Sequence, residues 1–150
     1  YVILPGVGSA QMVMQSLISN NLVNVIKSLT QPVLGICVGM QILFNSSEEQ
    51  NCKCLGLIND DIKKFNLPKD KAVPHMGWNK VIFESEQLLS NYYYFANSYY
   101  APITKDTTGI CEYGIEFSAT VQKDNFFGCQ FHPEKSSNSG IKFIQNFLNY

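Results

Sequence analysis

The sequence predicts an α/β fold: a central, mostly parallel sheet flanked by helices, with additional antiparallel strands in the C-terminal half. Three observations predict it. The first half alternates strand, helix, strand, helix. "VLGIC" (33–37) is apolar without alternation, as expected of a strand buried on both faces in the middle of a parallel sheet. The second half is a succession of strand-like runs separated by short polar turns, closed by one amphipathic helix.

In order along the chain, "YVIL" is a short buried strand and "PGVGS" a glycine-rich turn, with Ser9 placed to cap the helix that follows. "AQMVMQSLI" carries Met12, Val13 and Leu17 at helical spacing, and "NNLVNVIKSL" repeats the pattern with Leu22, Val25, Ile26 and Leu29. Thr30–Pro32 ends that helix, and "VGMQILFN" turns helical after the "VLGIC" strand. "CLGLI" (54–58), "NKVIF" (79–83), "NYYYFANSYYA" (91–101), "TGICEYGI" (108–115), "FSATVQK" (117–123) and "FFGCQF" (126–131) read as strands, with "KDN" turning between the last two. In "SGIKFIQNFLNY" (139–150), Ile141, Ile144 and Leu148 fall on one helical face.

The bulk numbers bound the function. With 150 residues, 45% of them hydrophobic and 15% charged, the chain is long enough for one domain, 1–150, with a real core. A net charge of −1 argues against a broad footprint for nucleic acid or an anionic membrane, and no apolar run reaches transmembrane length. Five scattered cysteines suit a reducing, cytoplasmic setting rather than a disulfide framework. Cys52 and Cys54 form a C-x-C without a second ligand pair at zinc-finger spacing, so no metal site is expected. The chain starts inside an apolar strand with no lead-in and reads as part of a longer protein.

Gly35-Ile36-Cys37-Val38-Gly39 has the form G-x-nucleophile-x-G at the end of a strand and the start of a helix. That is the context of a nucleophile elbow, where a sharp turn exposes the side chain and small flanks avoid clashes. A helix N-terminus also favours the thiolate. The bland alternative is a buried structural cysteine between packing glycines. In "CQFHPEK", one of the two histidines of the chain, His132, lies two residues from Glu134, so an extended segment puts both on one side. Pro133 pushes His132 toward extended geometry. A carboxylate there can fix the tautomer of the imidazole and support its positive charge, which makes Cys37, His132 and Glu134 a candidate catalytic set of thiol, base and orienting group. The glycine-flanked loop Gly6-Val7-Gly8 can aim backbone N–H groups at an oxyanion, with the Val38 N–H as a further donor.

"LGICVGMQILF", "QFHPEKS" and "LPGVGS" together resemble class I glutamine amidotransferases, from the first residue of the chain to the last. "PHMGWN" (74–79) and Met40 in "GMQ" are similar to the branch that serves as glutaminase subunit of imidazole glycerol phosphate synthases. The resemblance implies the class I amidotransferase fold without its first βαβ unit. It implies hydrolysis of glutamine to glutamate and ammonia through a cysteine thioester, with no cofactor. It also implies delivery of that ammonia to a (β/α)-barrel synthase subunit as heterodimer partner in histidine biosynthesis. In that family the Gly6–Gly8 loop can hold a carbonyl inward until the partner signals. Gln41 and Glu49 match positions that hold the glutamine substrate. Asn97-Ser98-Tyr99 stands where relatives commonly have His-Ser-Tyr beside the substrate; Asn keeps hydrogen bonding but cannot titrate. Met76, Trp78 and Asn79 become candidates for the partner interface, and Lys135 for an ion pair across it. Two other readings stay open: a paralogous glutaminase feeding sugar amidation in surface-glycan synthesis, and a non-catalytic binding subunit or inactive fragment.

Overall fold

The computed structural model describes residues 1–83 and 91–150. The elements run β1 (Val2–Leu4), α1 (Ala10–Ser19), α2 (Leu22–Lys27), β2 (Val33–Ile36), α3 (Val38–Gln41), β3 (Ser46–Ser47), β4 (Cys52–Lys53), β5 (Asp61–Lys64), β6 (His75–Phe83), β7 (Asn91–Asn97), β8 (Tyr99–Tyr100), β9 (Thr107–Glu112), β10 (Glu116–Lys123), β11 (Phe126–Cys129) and α4 (Ser137–Leu148). Short 3-10 turns sit at Glu49–Asn51 and Pro133–Lys135. The main sheet has the order β1-β2-β11-β10-β9-β6-β7, and β4-β3-β5-β8 form a smaller one.

The expectation of a mostly parallel sheet narrows to three strands. β1, β2 and β11 run parallel, whereas β11–β10, β10–β9, β9–β6 and β6–β7 pair antiparallel. Chain length between strands decides this. α1 and α2 carry the chain back across the sheet between β1 and β2. Two residues (Asp124 and Asn125) join β10 to β11, and three join β9 to β10, and such short links permit only antiparallel neighbours.

α1 begins as its sequence predicts, with the Ser9 hydroxyl accepting from Met12 N at 3.3 Å. Its buried face, however, is Ala10, Met14 and Leu17, and Met12 is exposed. On α2 Ile26 is buried while Leu22 and Val25 face outward. In both helices adjacent apolar residues offer competing stripes, and contact with the rest of the fold selects one. α4 repeats the case. Gly140, Phe143 and Phe147 are buried, and Ile141 and Leu148 are exposed. The aromatic stripe packs edge-on against Tyr93, Phe131 and Phe127, which offers more area than the aliphatic one. "CLGLI" is not a strand. It is a loop, buried at Cys54, Leu55 and Ile58, whose Leu55, Gly56, Leu57 and Ile58 N–H groups donate to the carbonyls of Ile42, Phe44 and Leu43, the acceptors left open at the end of α3. "YYYF" alternates: Tyr93 is buried and Tyr92 exposed, the period of a one-sided strand.

Candidate active site

Two adjacent parallel strands build the site. β2 and β11 pair in register through Gly35↔Gly128 and Ile36↔Cys129, so both chains leave the sheet at the same C-terminal edge. Cys37 is the first residue beyond β2, and His132 lies three beyond the end of β11. The Cys37 N–H donates to the Cys129 carbonyl at 2.7 Å, which ties the two exits together. Cys37 has φ 51° and ψ −109°, a conformation costly for a residue with a side chain. A Cβ at Gly35 would run into the carbonyl of Gly39, and one at Gly39 into that of Leu4. The glycine flanks are therefore required by the elbow. Gly6 packs so closely that a Cβ there would stand 2.7 Å from the Cys37 Cβ, placing the Gly6–Gly8 loop beside the thiol with Val7 exposed.

The lowering of the Cys37 pKa expected from the helix N-terminus is outweighed by burial. Burial pushes the thiol up to about 11, with Glu134 and Glu49 adding repulsion. Hydrogen bonds from the Val38 N–H and from Gln130 favour the thiolate but do not compensate. The reason is size: α3 is only four residues long, while Cys37 is 8% exposed.

His132 is buried, and its Nδ1 lies 2.7 Å from Glu134 Oε1. Its backbone is held on both sides. The His132 N–H donates to the Tyr94 carbonyl at 2.8 Å, and the Ser136 hydroxyl donates to the His132 carbonyl at 2.6 Å. The same Ser136 oxygen accepts from Tyr94 N at 2.9 Å, locking β7 to the His-Pro-Glu turn. Glu134, bonded to His132, also lies near enough to Cys37 for its carboxylate to disfavour the thiolate.

Gln41 is buried, and its Nε2 donates to the Tyr99 carbonyl at 3.1 Å and to Gln130 Oε1 at 2.9 Å. Glu49 Oε2 accepts from the Ala10 N–H at 2.7 Å at the start of α1, whereas neighbouring Glu48 turns to the Lys64 N–H and the Lys63 ammonium. Asn97 is buried and its Nδ2 donates to the Tyr99 carbonyl at 2.9 Å; the Ser98 carbonyl accepts from Phe65 N. Met76 and Trp78 are 64% and 53% exposed. Trp78 meets Tyr94 edge-on with centroids 6.2 Å apart, and the Lys135 ammonium lies 5.8 Å over that ring, so Trp78, Tyr94 and Lys135 make one surface; Met76, two residues before Trp78 on β6, is exposed on the same face of the strand. Asn79 does not share it. Its amide is spent internally, donating to the Glu112 carbonyl at 2.8 Å beside His75 Nε2.

Comparison with known proteins supplies the family. The model for glutamine amidotransferase class-I matches residues 1–149. The chain belongs to the class I glutamine amidotransferases. Imidazole glycerol phosphate synthase subunit HisH of Shewanella sediminis is 46% identical, covering 98% of this chain and 72% of that protein. The Escherichia coli K12 subunit of the same name is 47% identical over 97% of this chain and 77% of its own length. A solved glutamine amidotransferase structure covers 98% of this chain and 76% of its own with a TM-score of 0.73 at 14% identity, and PurLQS from Thermotoga maritima gives 0.69 at 18% over 99% and 79%. At those identities the structures share the fold, and the sequence relatives carry the family. The amidotransferase is therefore an enzyme of the glutaminase type. Two residues that contact the candidate site escaped the sequence reading. Gln130 and Ser136 lie inside the quoted "QFHPEKS", but as uncharged side chains flanking a conspicuous histidine they gave no signal of their own.

Proposed function

We propose that the protein hydrolyses glutamine through a Cys37–His132–Glu134 triad and passes the ammonia to a (β/α)-barrel synthase subunit that forms imidazole glycerol phosphate in histidine biosynthesis. The observation that carries the chemistry is the 2.7 Å His132–Glu134 contact on the same sheet edge as a cysteine held at positive φ. The 44–47% identical relatives, all named as subunits of that synthase, carry the pathway. We take 1–150 as one amidotransferase domain, working in a reducing cytoplasm that suits its five free thiols. Among the described residues no helix is long and apolar enough to cross a membrane.

In this reading Glu134 accepts from Nδ1–H of His132, which leaves Nε2 as the base. With its pKa near 11 the thiol is protonated at neutral pH, so its proton moves to His132 as sulfur attacks the glutamine side-chain carbonyl carbon. The new C–S bond forms a tetrahedral oxyanion, met by N–H groups of Val38 and of the Gly6–Gly8 loop. Collapse breaks the C–N bond, and His132 returns its proton to the departing ammonia. Water, deprotonated by His132, then cleaves the thioester, releasing glutamate and restoring the thiol. Glu49, Gln41 and the backbone of 97–99 frame the substrate. A surface of Met76, Trp78, Tyr94 and Lys135 receives the partner, and Asn79 supports it from behind.

The test measures glutamate release with and without a barrel subunit and its ligand. Weak activity alone, strong stimulation in the pair, and none above background for Cys37→Ala are expected. Full activity of Cys37→Ala sinks the covalent mechanism. Stimulation by a surface-glycan synthase and not by the imidazole-forming barrel sinks the pathway.

A further inference from the structure

The site contains a buried amide chain that the triad does not use. Its polarity can be read from one end. The Tyr99 carbonyl can only accept, so the Gln41 group facing it at 3.1 Å must be Nε2. Asn97 turns its own Nδ2 to the same oxygen at 2.9 Å. The same Gln41 nitrogen meets Gln130 at 2.9 Å, so the Gln130 atom there must be its acceptor, Oε1. Gln130 is then left with its donor end pointing the other way, where Nε2 lies 3.5 Å from the Cys37 sulfur. Gln130 is fully buried, and its own backbone is fixed in the sheet by donation from its N–H to the Ala119 carbonyl at 2.8 Å.

We propose that Gln130 is a positioning residue for the Cys37 sulfur. It presents an N–H to that atom because the Tyr99 carbonyl, acting through Gln41, allows no other orientation. The proposal rests on Cys37 being the nucleophile. Physically, the sulfur is in a dry site where losing a proton is costly, and any donor aimed at it offsets part of that cost. Gln130 and the Val38 N–H approach sulfur as donors, which suits an anion better than a neutral thiol. A glutamine turned by half a rotation would present its oxygen and repel the thiolate. Relay through two amides therefore connects the segment 97–99 to the charge state of the nucleophile. The Gln130 contact also fixes the direction of the Cγ-like Sγ atom, which a strained backbone alone leaves free to rotate.

The experiment compares the full chain with Gln130→Glu and Gln130→Met. Glu keeps the shape and the Gln41 bond but replaces the donor by an acceptor; Met keeps length without a polar head. Cys37 alkylation by iodoacetamide is followed from about pH 7 to about pH 11, with Cys37→Ala as the background for the other thiols. In the unchanged chain the rate is expected to climb through the whole range, because burial pushes the thiol up to about 11. Gln130→Glu is expected to slow alkylation at about pH 9 roughly tenfold, as a harder-to-ionise thiol requires; Gln130→Met slows it by less. In the pair with the barrel subunit, both variants lower kcat more than they change KM. Alkylation profiles within about twofold of the unchanged chain, in whichever variant retains its melting temperature, overturn the proposal. Alkylation needs no glutamine. A chain that shows the slowing but releases no glutamate keeps the Gln130 assignment and loses the proposed function.

Discussion

At the residue scale, the two histidines are buried for opposite purposes. His132 keeps a carboxylate partner at 2.7 Å, while His75 stands in an aromatic box. Its ring stacks on Tyr113 and Phe95 with centroids 3.9 and 4.9 Å away, and Phe65 and Phe117 close the sides. Burial, helped by Lys71, pushes the His75 imidazole down to about 4. The native state thus holds His75 neutral, while the unfolded chain takes up a proton once the pH falls below about 6.5. Stability from this group is complete above that value, falls between about 6.5 and 4, and levels off below. The loss amounts to at most about 3 kcal/mol. His75→Phe, which fits the aromatic surroundings, is expected to melt with a shallower decline over that window than the unchanged chain. Equal slopes for the two would show that His75 takes no part.

At the element scale, α4 is a brace for the His-Pro-Glu turn. Gly140 packs on the Pro133 carbonyl so tightly that any Cβ would overlap it. Glycine to alanine inside a helix normally stabilises by about 1 kcal/mol. Overpacking costs about 1–3 kcal/mol, so here it prevails. Gly140→Ala is expected to lower the melting temperature and, by displacing Pro133, to reduce glutamate release; a higher melting temperature would contradict the packing argument. This element also shows why part of the fold was hidden. The helical period of 139–150 was plain, but Ile141/Ile144/Leu148 and Gly140/Phe143/Phe147 are equally periodic. Only the aromatic surface of Tyr93, Phe127 and Phe131, contributed by strands distant in sequence, selects between them. "CLGLI" misled for a related reason: its apolarity records burial, and its hydrogen bonds go to a helix end, not to a strand.

At the scale of the molecule, the candidate site and the proposed docking face share one strand. β7 offers the Tyr94 carbonyl to the His132 N–H on its edge and the Tyr94 ring to Trp78 and Lys135 on its outer face. A partner seated on that face therefore touches the strand that holds His132, the proposed base. Trp78→Ala is expected to weaken pairing with the barrel subunit by about 2 kcal/mol, roughly thirtyfold in Kd, while leaving the melting temperature of the isolated chain within about 2 °C. Titration of the two subunits checks this, and an unchanged Kd would move the interface elsewhere.

Some of this protein was determined by sequence alone. The elbow glycines, the Ser9 cap, the His-Pro-Glu spacing and the β1-to-β2 crossover act within a few residues or follow from hydrophobic period, so local chemistry reveals them. Other features were decided by tertiary structure. These include the antiparallel majority of the sheet, the buried faces of α1, α2 and α4, and the raised Cys37 pKa. The end of Gln130 that meets the sulfur belongs with them. Each depends on what a distant segment brings to the same place: solvent exclusion, a competing surface, or a carbonyl that can only accept. A sequence read one neighbourhood at a time does not contain those contacts, because folding creates them.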